Sequence, residues 1–172
     1  KNNKKKKFIN YRVKDGYIYK DLIENYNVGI LTTLIKKSLL KKSKVNFDSK
    51  YDIIGDYDFF IRLSKKYKFQ FIKEPVATYR IHQQNLSFLK KEKQIKEFFY
   101  WIKKNKKKLT KEDYLKIMKK IYKLEFINLR LTKSFFNSLL YFIKFIDHVF
   151  SFKNIIILLT PSYLLKKLMW FV

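Results

Sequence analysis

Asp56 and Asp58, with one residue between them, lie in the segment 55–63, where the sequence predicts the start of a short helix. At such a position, backbone amides and the helix dipole favour the ionised form of Asp56. An ionised, oriented carboxylate at the edge of a pocket can act as a general base towards a hydroxyl group. Capping of the helix is the simpler explanation of Asp56. Asp58 precedes Arg62 by four residues, a spacing that favours a local ion pair and gives both residues a supporting role.

Arg80 and His82 form a second candidate group, because the alternating pattern over residues 76–82 predicts a strand. Residues two apart on a strand point to the same face, so both side chains are expected to face one pocket. His82 is a candidate for binding a metal ion or a phosphate. A structural histidine is the simpler interpretation, since no second histidine or nearby carboxylate gives a metal-ligand spacing in the sequence.

The elements that position these residues are predicted to be a mixture of strands and helices. Residues 28–35 are rich in β-branched side chains and predict a buried strand, from which Thr32 and Thr33 either reach a pocket or serve as ordinary strand residues. Apolar residues at helical spacing predict a helix from Asp56 to about residue 66. Phe69 and Phe71 alternate with polar residues and predict a further strand.

Beyond residue 87 the pattern becomes that of long helices. One is predicted over residues 88–104, a second begins after Thr110 with Asp113 as its capping partner, and a third begins near Ser134. The tail from there to residue 172 is apolar but interrupted, and no run approaches the ~20 residues needed to cross a bilayer. Two interpretations stay open: helices broken by Pro161 that lie in a membrane interface, or a helical hairpin packed on the domain.

Composition limits the class of protein. The 172 residues suit one folded domain, and 47% hydrophobic with 19% aromatic residues excludes a disordered chain. The net charge of +26 comes with only four arginines among 40 basic residues, which favours a lysine-coated surface, then an anionic membrane, and disfavours nucleic acid. Without cysteine there is no disulfide framework and no thiolate nucleophile. The chain has no signal-peptide pattern and no initiator methionine, so a cytoplasmic fragment is expected.

In their order along the chain, these motifs resemble the C-terminal half of family 2 glycosyltransferases. The resemblance is carried by Thr32-Thr33, Lys36-Lys37-Ser38, Phe47-Asp48 and the segments 55–63 and 74–87. It implies an α/β fold, with the acceptor-side half of a Rossmann-like GT-A domain at residues 1–87, supporting helices at 88–133 and an amphipathic helical tail at 134–172. That tail is expected to associate with the inner face of the membrane or to pack on the domain.

The resemblance also implies an activity. A sugar would pass, with inversion, from a nucleotide-sugar donor to a hydroxyl of a glycan or lipid-linked acceptor in cell-surface polysaccharide synthesis. Asp56 would be the catalytic base, Thr32, Thr33 and Arg80 would lie towards the substrates, and His82 would lie near the metal and diphosphate. The cofactor would be Mg²⁺ or Mn²⁺, held mainly by an N-terminal half whose Asp-x-Asp motif is not found upstream of Val28. Many members carry an acidic residue where this chain has Gly55, which leaves Asp56 as the one candidate base.

A non-catalytic module is the alternative interpretation. The lysine excess would then bind an anionic membrane surface or nucleic acid, and binding would weaken steeply with salt while surviving the loss of Asp56 and His82.

Overall fold

The computed structural model describes residues 14–78, 80 and 85–168, and over these residues the regular structure is helical apart from one isolated β-bridge. The predicted α/β class, with a Rossmann-like sheet, is therefore wrong for the described part of the chain. Two compact units, Lys1–Arg80 and Ile81–Val172, make up the chain. The first contains helices α1 (Tyr19–Glu24), α2 (Lys37–Ser43) and α3 (Gly55–Ser64), and a 3-10 turn at Ile30–Thr32.

The second unit contains seven α-helices among the described residues. They are α4 (Leu86–Leu89), α5 (Lys91–Asn105), α6 (Lys111–Thr132), α7 (Phe135–Lys144), α8 (Ile146–Val149), α9 (Phe152–Leu159) and α10 (Ser162–Leu168), with a 3-10 turn at Lys106–Lys108 between α5 and α6.

None of the predicted strands forms within the described residues. The segment predicted as a buried strand at 28–35 is exposed instead, with Leu34 97% accessible, and it contains the 3-10 turn. Among the described residues, Phe69 forms an isolated β-bridge with Gly16, through reciprocal backbone hydrogen bonds of 2.7 and 2.8 Å. Alternating side chains describe the faces of a strand, but a strand persists only where a neighbouring strand takes up its N–H and C=O groups. These segments lack such a ladder.

Helix α3 is the centre of the first unit, and its existence and approximate bounds are as predicted. Aromatic and aliphatic residues surround it on several sides, so Phe59, Phe60 and Ile61 are all at most 2% exposed. Full burial of such a side chain contributes roughly 1.5–3 kcal/mol. Helix α1, which the sequence analysis missed, packs against α3 with Leu22 and Ile23 completely buried.

Helix α6 organises the second unit. Thr110 caps it as predicted, its hydroxyl accepting a hydrogen bond from the Asp113 amide at 3.1 Å. Ser134 caps α7 in the same way, through the Asn137 amide. A core cluster lies where α6 meets the helices that follow it, and its buried members are Phe126, Phe142, Val149 and Leu158.

Candidate functional site

Asp56 lies in the first turn of α3, half-buried, and its carboxylate Oδ1 accepts a hydrogen bond of 2.7 Å from the Tyr57 amide. Burial raises the pKa of Asp56 above its usual value, because the charged form loses hydration, while the bond from the Tyr57 amide and the nearby Tyr26 hydroxyl oppose that rise. A carboxylate with a raised pKa accepts a proton more readily than an ordinary aspartate, which is the property a general base needs. The Tyr57 contact also satisfies one amide of the helix start, as helix capping would.

Tyr26 is the neighbour that sequence analysis missed. Its ring meets Tyr57 edge to face, with centroids 5.2 Å apart. Burial, and then the adjacent charge of Asp56, raise the pKa of Tyr26, so its hydroxyl remains protonated. That hydroxyl lies close enough to favour the ionised Asp56 carboxylate, yet it is buried without a formed hydrogen bond to any described residue. The result is a buried O–H group held beside a carboxylate.

Asp58 has a different environment from Asp56, although only one residue separates them. It is buried, and Oδ2 accepts hydrogen bonds from Nε and Nη2 of Arg62 at 2.9 and 2.7 Å. The same guanidinium donates to the Asn46 carbonyl at 2.6 Å, which fastens the preceding loop to α3. The predicted ion pair is thus present, and it removes Asp58 from the candidates for a base.

The remaining predicted site residues lie in less constrained surroundings. Thr32 and Thr33 both donate their hydroxyl hydrogens to the Gly29 carbonyl, at 3.0 and 2.9 Å, which stabilises the local turn. Arg80 is exposed, and neither it nor residues 76–78 belong to a strand. His82 lies outside the described residues. The described structure therefore brings Asp58 and Arg62 together and adds Tyr26 to Asp56, but it does not gather the whole predicted set.

The resemblance implies a divalent cation that is held mainly by an N-terminal half. Over residues 14–78, 80 and 85–168, no three His, Asp or Glu side chains lie close enough together to hold a metal ion. Mg²⁺ is commonly bound by one or two carboxylates together with water and substrate phosphates, and the carboxylate nearest in sequence to Asp56 is hydrogen-bonded to Arg62. The surroundings of Asp56 do not fit a metal site on their own.

A cleft of about 520 Å³ in the second unit was also not predicted. Aromatic and polar side chains from α5, α6 and α7 line it, among them Phe99, Tyr122, Glu125, Asn137, Tyr141 and Lys144. The Tyr141 hydroxyl donates to Glu125 Oε2 at 2.8 Å, so this carboxylate is already engaged. Burial and that bond raise the pKa of Tyr141.

No protein-family model, curated protein or solved structure matches the chain. The resemblance to family 2 glycosyltransferases therefore rests on the residues quoted for it. Every helix in the described ranges is too short or too polar to cross a lipid bilayer.

Proposed function

We propose that this chain carries the catalytic base of an inverting glycosyltransferase, and that Asp56 is that base. The observation that carries the proposal is the contrast between two carboxylates in one helical turn. Asp58 is buried and paired with Arg62, whereas Asp56 is half-buried with a raised pKa and a tyrosine hydroxyl beside it. The motif order along the chain supplies the reaction class. The proposal concerns this site and not the α/β fold.

In the proposed step, the Asp56 carboxylate takes the proton of an acceptor hydroxyl. The acceptor oxygen forms a bond to the anomeric carbon of the donor as the bond from that carbon to the nucleoside diphosphate breaks, which inverts the configuration. The Tyr26 hydroxyl favours the ionised form of Asp56, so it helps to keep the carboxylate ready to accept that proton. The substrate classes are a nucleotide sugar and a glycan or lipid-linked acceptor.

The proposal is tested by measuring sugar transfer by the natural polypeptide that contains this chain. Release of nucleoside diphosphate is followed with a panel of nucleotide sugars and acceptors. We expect Asp56→Asn to lower the rate by about 10²–10⁴-fold, the usual contribution of a general base. Asp52→Asn, at an exposed aspartate of the preceding loop, is the matched control and is expected to leave the rate within a fewfold.

A transfer rate that survives Asp56→Asn would show that the base is elsewhere. Absence of transfer with every donor, together with binding to polyanions that ignores Asp56, would favour the non-catalytic alternative.

A further inference from the structure

Two helices of the second unit expose matching apolar stripes. On α7 and on α9, three large apolar residues recur at positions i, i+4 and i+7, which lie on one side of a helix. All six are at least 50% exposed: Phe136, Leu140, Ile143, Phe152, Ile156 and Leu159. The surfaces of soluble proteins routinely carry isolated apolar side chains, but contiguous apolar faces mark interaction sites.

The stripe residues do not belong to the core cluster of the second unit. Each helix turns a different side inward, α7 through Phe142 and α9 through Leu158, and both residues belong to the core cluster. Helices α7 and α9 contact each other and both contact α6. With their inner sides buried against one core, the two stripes face outward from neighbouring helices.

The charge around the stripes indicates which kind of partner binds them. Between residues 134 and 172 there are four lysines and one acidic residue, Asp147. Lys144 ends α7 and Lys153 lies in the first turn of α9, and both are exposed. Apolar side chains bordered by lysines are the pattern of helices that lie in the interface of an anionic membrane. A nucleic acid would leave the apolar stripes in water, and a second copy would bring another net charge of +26 to this face.

We propose that the outer faces of α7 and α9 bind the surface of an anionic lipid bilayer. Helices of 10 and 8 residues are about 15 and 12 Å long, against ~30 Å for the hydrocarbon core, so they lie along the surface and do not cross it. The stripes enter the boundary between headgroups and acyl chains, and Lys144 and Lys153 contact the headgroup phosphates. This proposal is independent of the proposed glycosyl transfer, because every residue it uses lies in the second unit.

Vesicle co-sedimentation of the full chain tests the proposal, using phosphatidylcholine with or without phosphatidylglycerol. The wild-type chain is expected to bind the anionic vesicles, and to retain part of that binding at about 0.5 M NaCl because the apolar contribution is not screened. Ile143→Glu with Ile156→Glu is expected to weaken binding about tenfold or more. Leu34→Glu, at an apolar residue of the first unit that is 97% exposed, is the control for adding an acidic side chain and is expected to bind like wild type.

Lys144→Gln with Lys153→Gln separates the two contributions. This variant is expected to lose about 25-fold in affinity for anionic vesicles only, since each of the two lysines near such a surface contributes about fivefold. Circular dichroism checks that all variants keep their helices. Wild-type affinity in the stripe variant would overturn the proposal, because lysines alone would then explain the binding. The proposal would also be overturned if the wild-type chain did not bind vesicles. It would be overturned as well if the wild-type chain formed stable dimers in solution and the stripe variant were monomeric.

Discussion

At the scale of single residues, Asp56 and Asp58 show how one type of side chain takes two roles within one helical turn. Asp58 lies where an arginine four residues on can reach it, so its charge is neutralised locally. Asp56 is two positions earlier and is partly desolvated by packing, and no described cation contributes to its pKa. An ion pair stabilises the local structure, whereas partial desolvation raises the pKa of a carboxylate and makes it a stronger base.

Tyr26→Phe tests the coupling between the tyrosine and Asp56. The Tyr26 hydroxyl lowers the Asp56 pKa, so removing it is expected to raise that pKa further. The folded state already binds the Asp56 proton more tightly than the unfolded chain. The free energy of unfolding therefore decreases as pH rises from the ordinary aspartate pKa through the folded one, and Tyr26→Phe is expected to extend this decrease to higher pH.

The Asp56 pKa is measured by ¹³C NMR titration of its side-chain carboxyl group, and stability by urea unfolding at several pH values. Tyr17→Phe, at an exposed tyrosine of the same unit, is the control and is expected to leave the titration unchanged. An Asp56 pKa that stays constant or falls in Tyr26→Phe would contradict the coupling.

At the scale of elements, Arg130 of α6 holds the end of α9. Its side chain is buried and donates hydrogen bonds to the carbonyls of Leu158 and Thr160, at the helix C-terminus where backbone acceptors lack partners. A cation is also favoured at this end of the helix dipole. One arginine thus replaces the backbone donors that would have continued the helix.

Arg130→Met is expected to lower the free energy of unfolding by about 1–3 kcal/mol, because it keeps most of the volume but leaves two buried carbonyls unsatisfied. A buried ion pair can be replaced by two apolar side chains, but substitution of a side chain cannot remove these backbone carbonyl groups. Helix content during urea unfolding gives the free energy, and hydrogen exchange should show faster opening at the end of α9. Lys119→Met, on the exposed side of α6, should change stability by less than about 0.5 kcal/mol. Equal stability of the two variants would argue against the role of Arg130.

At the scale of the whole molecule, the net charge of +26 on 172 residues opposes folding by self-repulsion. The chain has 14 acidic residues for 40 basic ones, and exposed pairs such as Lys14–Asp21 and Lys116–Glu112 contribute about 0–1 kcal/mol each. Repulsion is therefore expected to dominate the response of the chain to salt.

Raising NaCl from about 0.02 to 0.2 M should increase Tm by several degrees, because the shorter Debye length screens the repulsion between lysines. Thermal unfolding followed by circular dichroism measures it. Lys106→Gln with Lys107→Gln, at exposed residues between α5 and α6, should raise Tm at low salt and reduce the salt effect. A Tm that falls with salt would mean that attractive pairs outweigh the repulsion.

Several features were predictable because each depends on residues a few positions apart. Helix α3, the Asp58–Arg62 pair and the caps at Thr110 and Ser134 all follow from spacings of three or four residues. The strands were mispredicted because alternation is local, whereas the ladder that sustains a strand is formed with residues elsewhere. Tyr26 was missed for the same reason, since 30 positions separate it from Asp56 and only the packing of α1 on α3 brings the two together.

By itself, the sequence determined the charge of the chain, the main helices beyond residue 87 and the identity of the candidate base in residues 55–63. It left open whether the apolar tail packs on a core or faces outward. The tertiary structure decided that both occur, because α7 and α9 each bury one side in the core cluster and expose another. It also brought Tyr26 next to Asp56, which the sequence did not show. The physical reason is that burial and pairing are properties of neighbours in space, and helical periodicity fixes only the neighbours within a few residues along the chain.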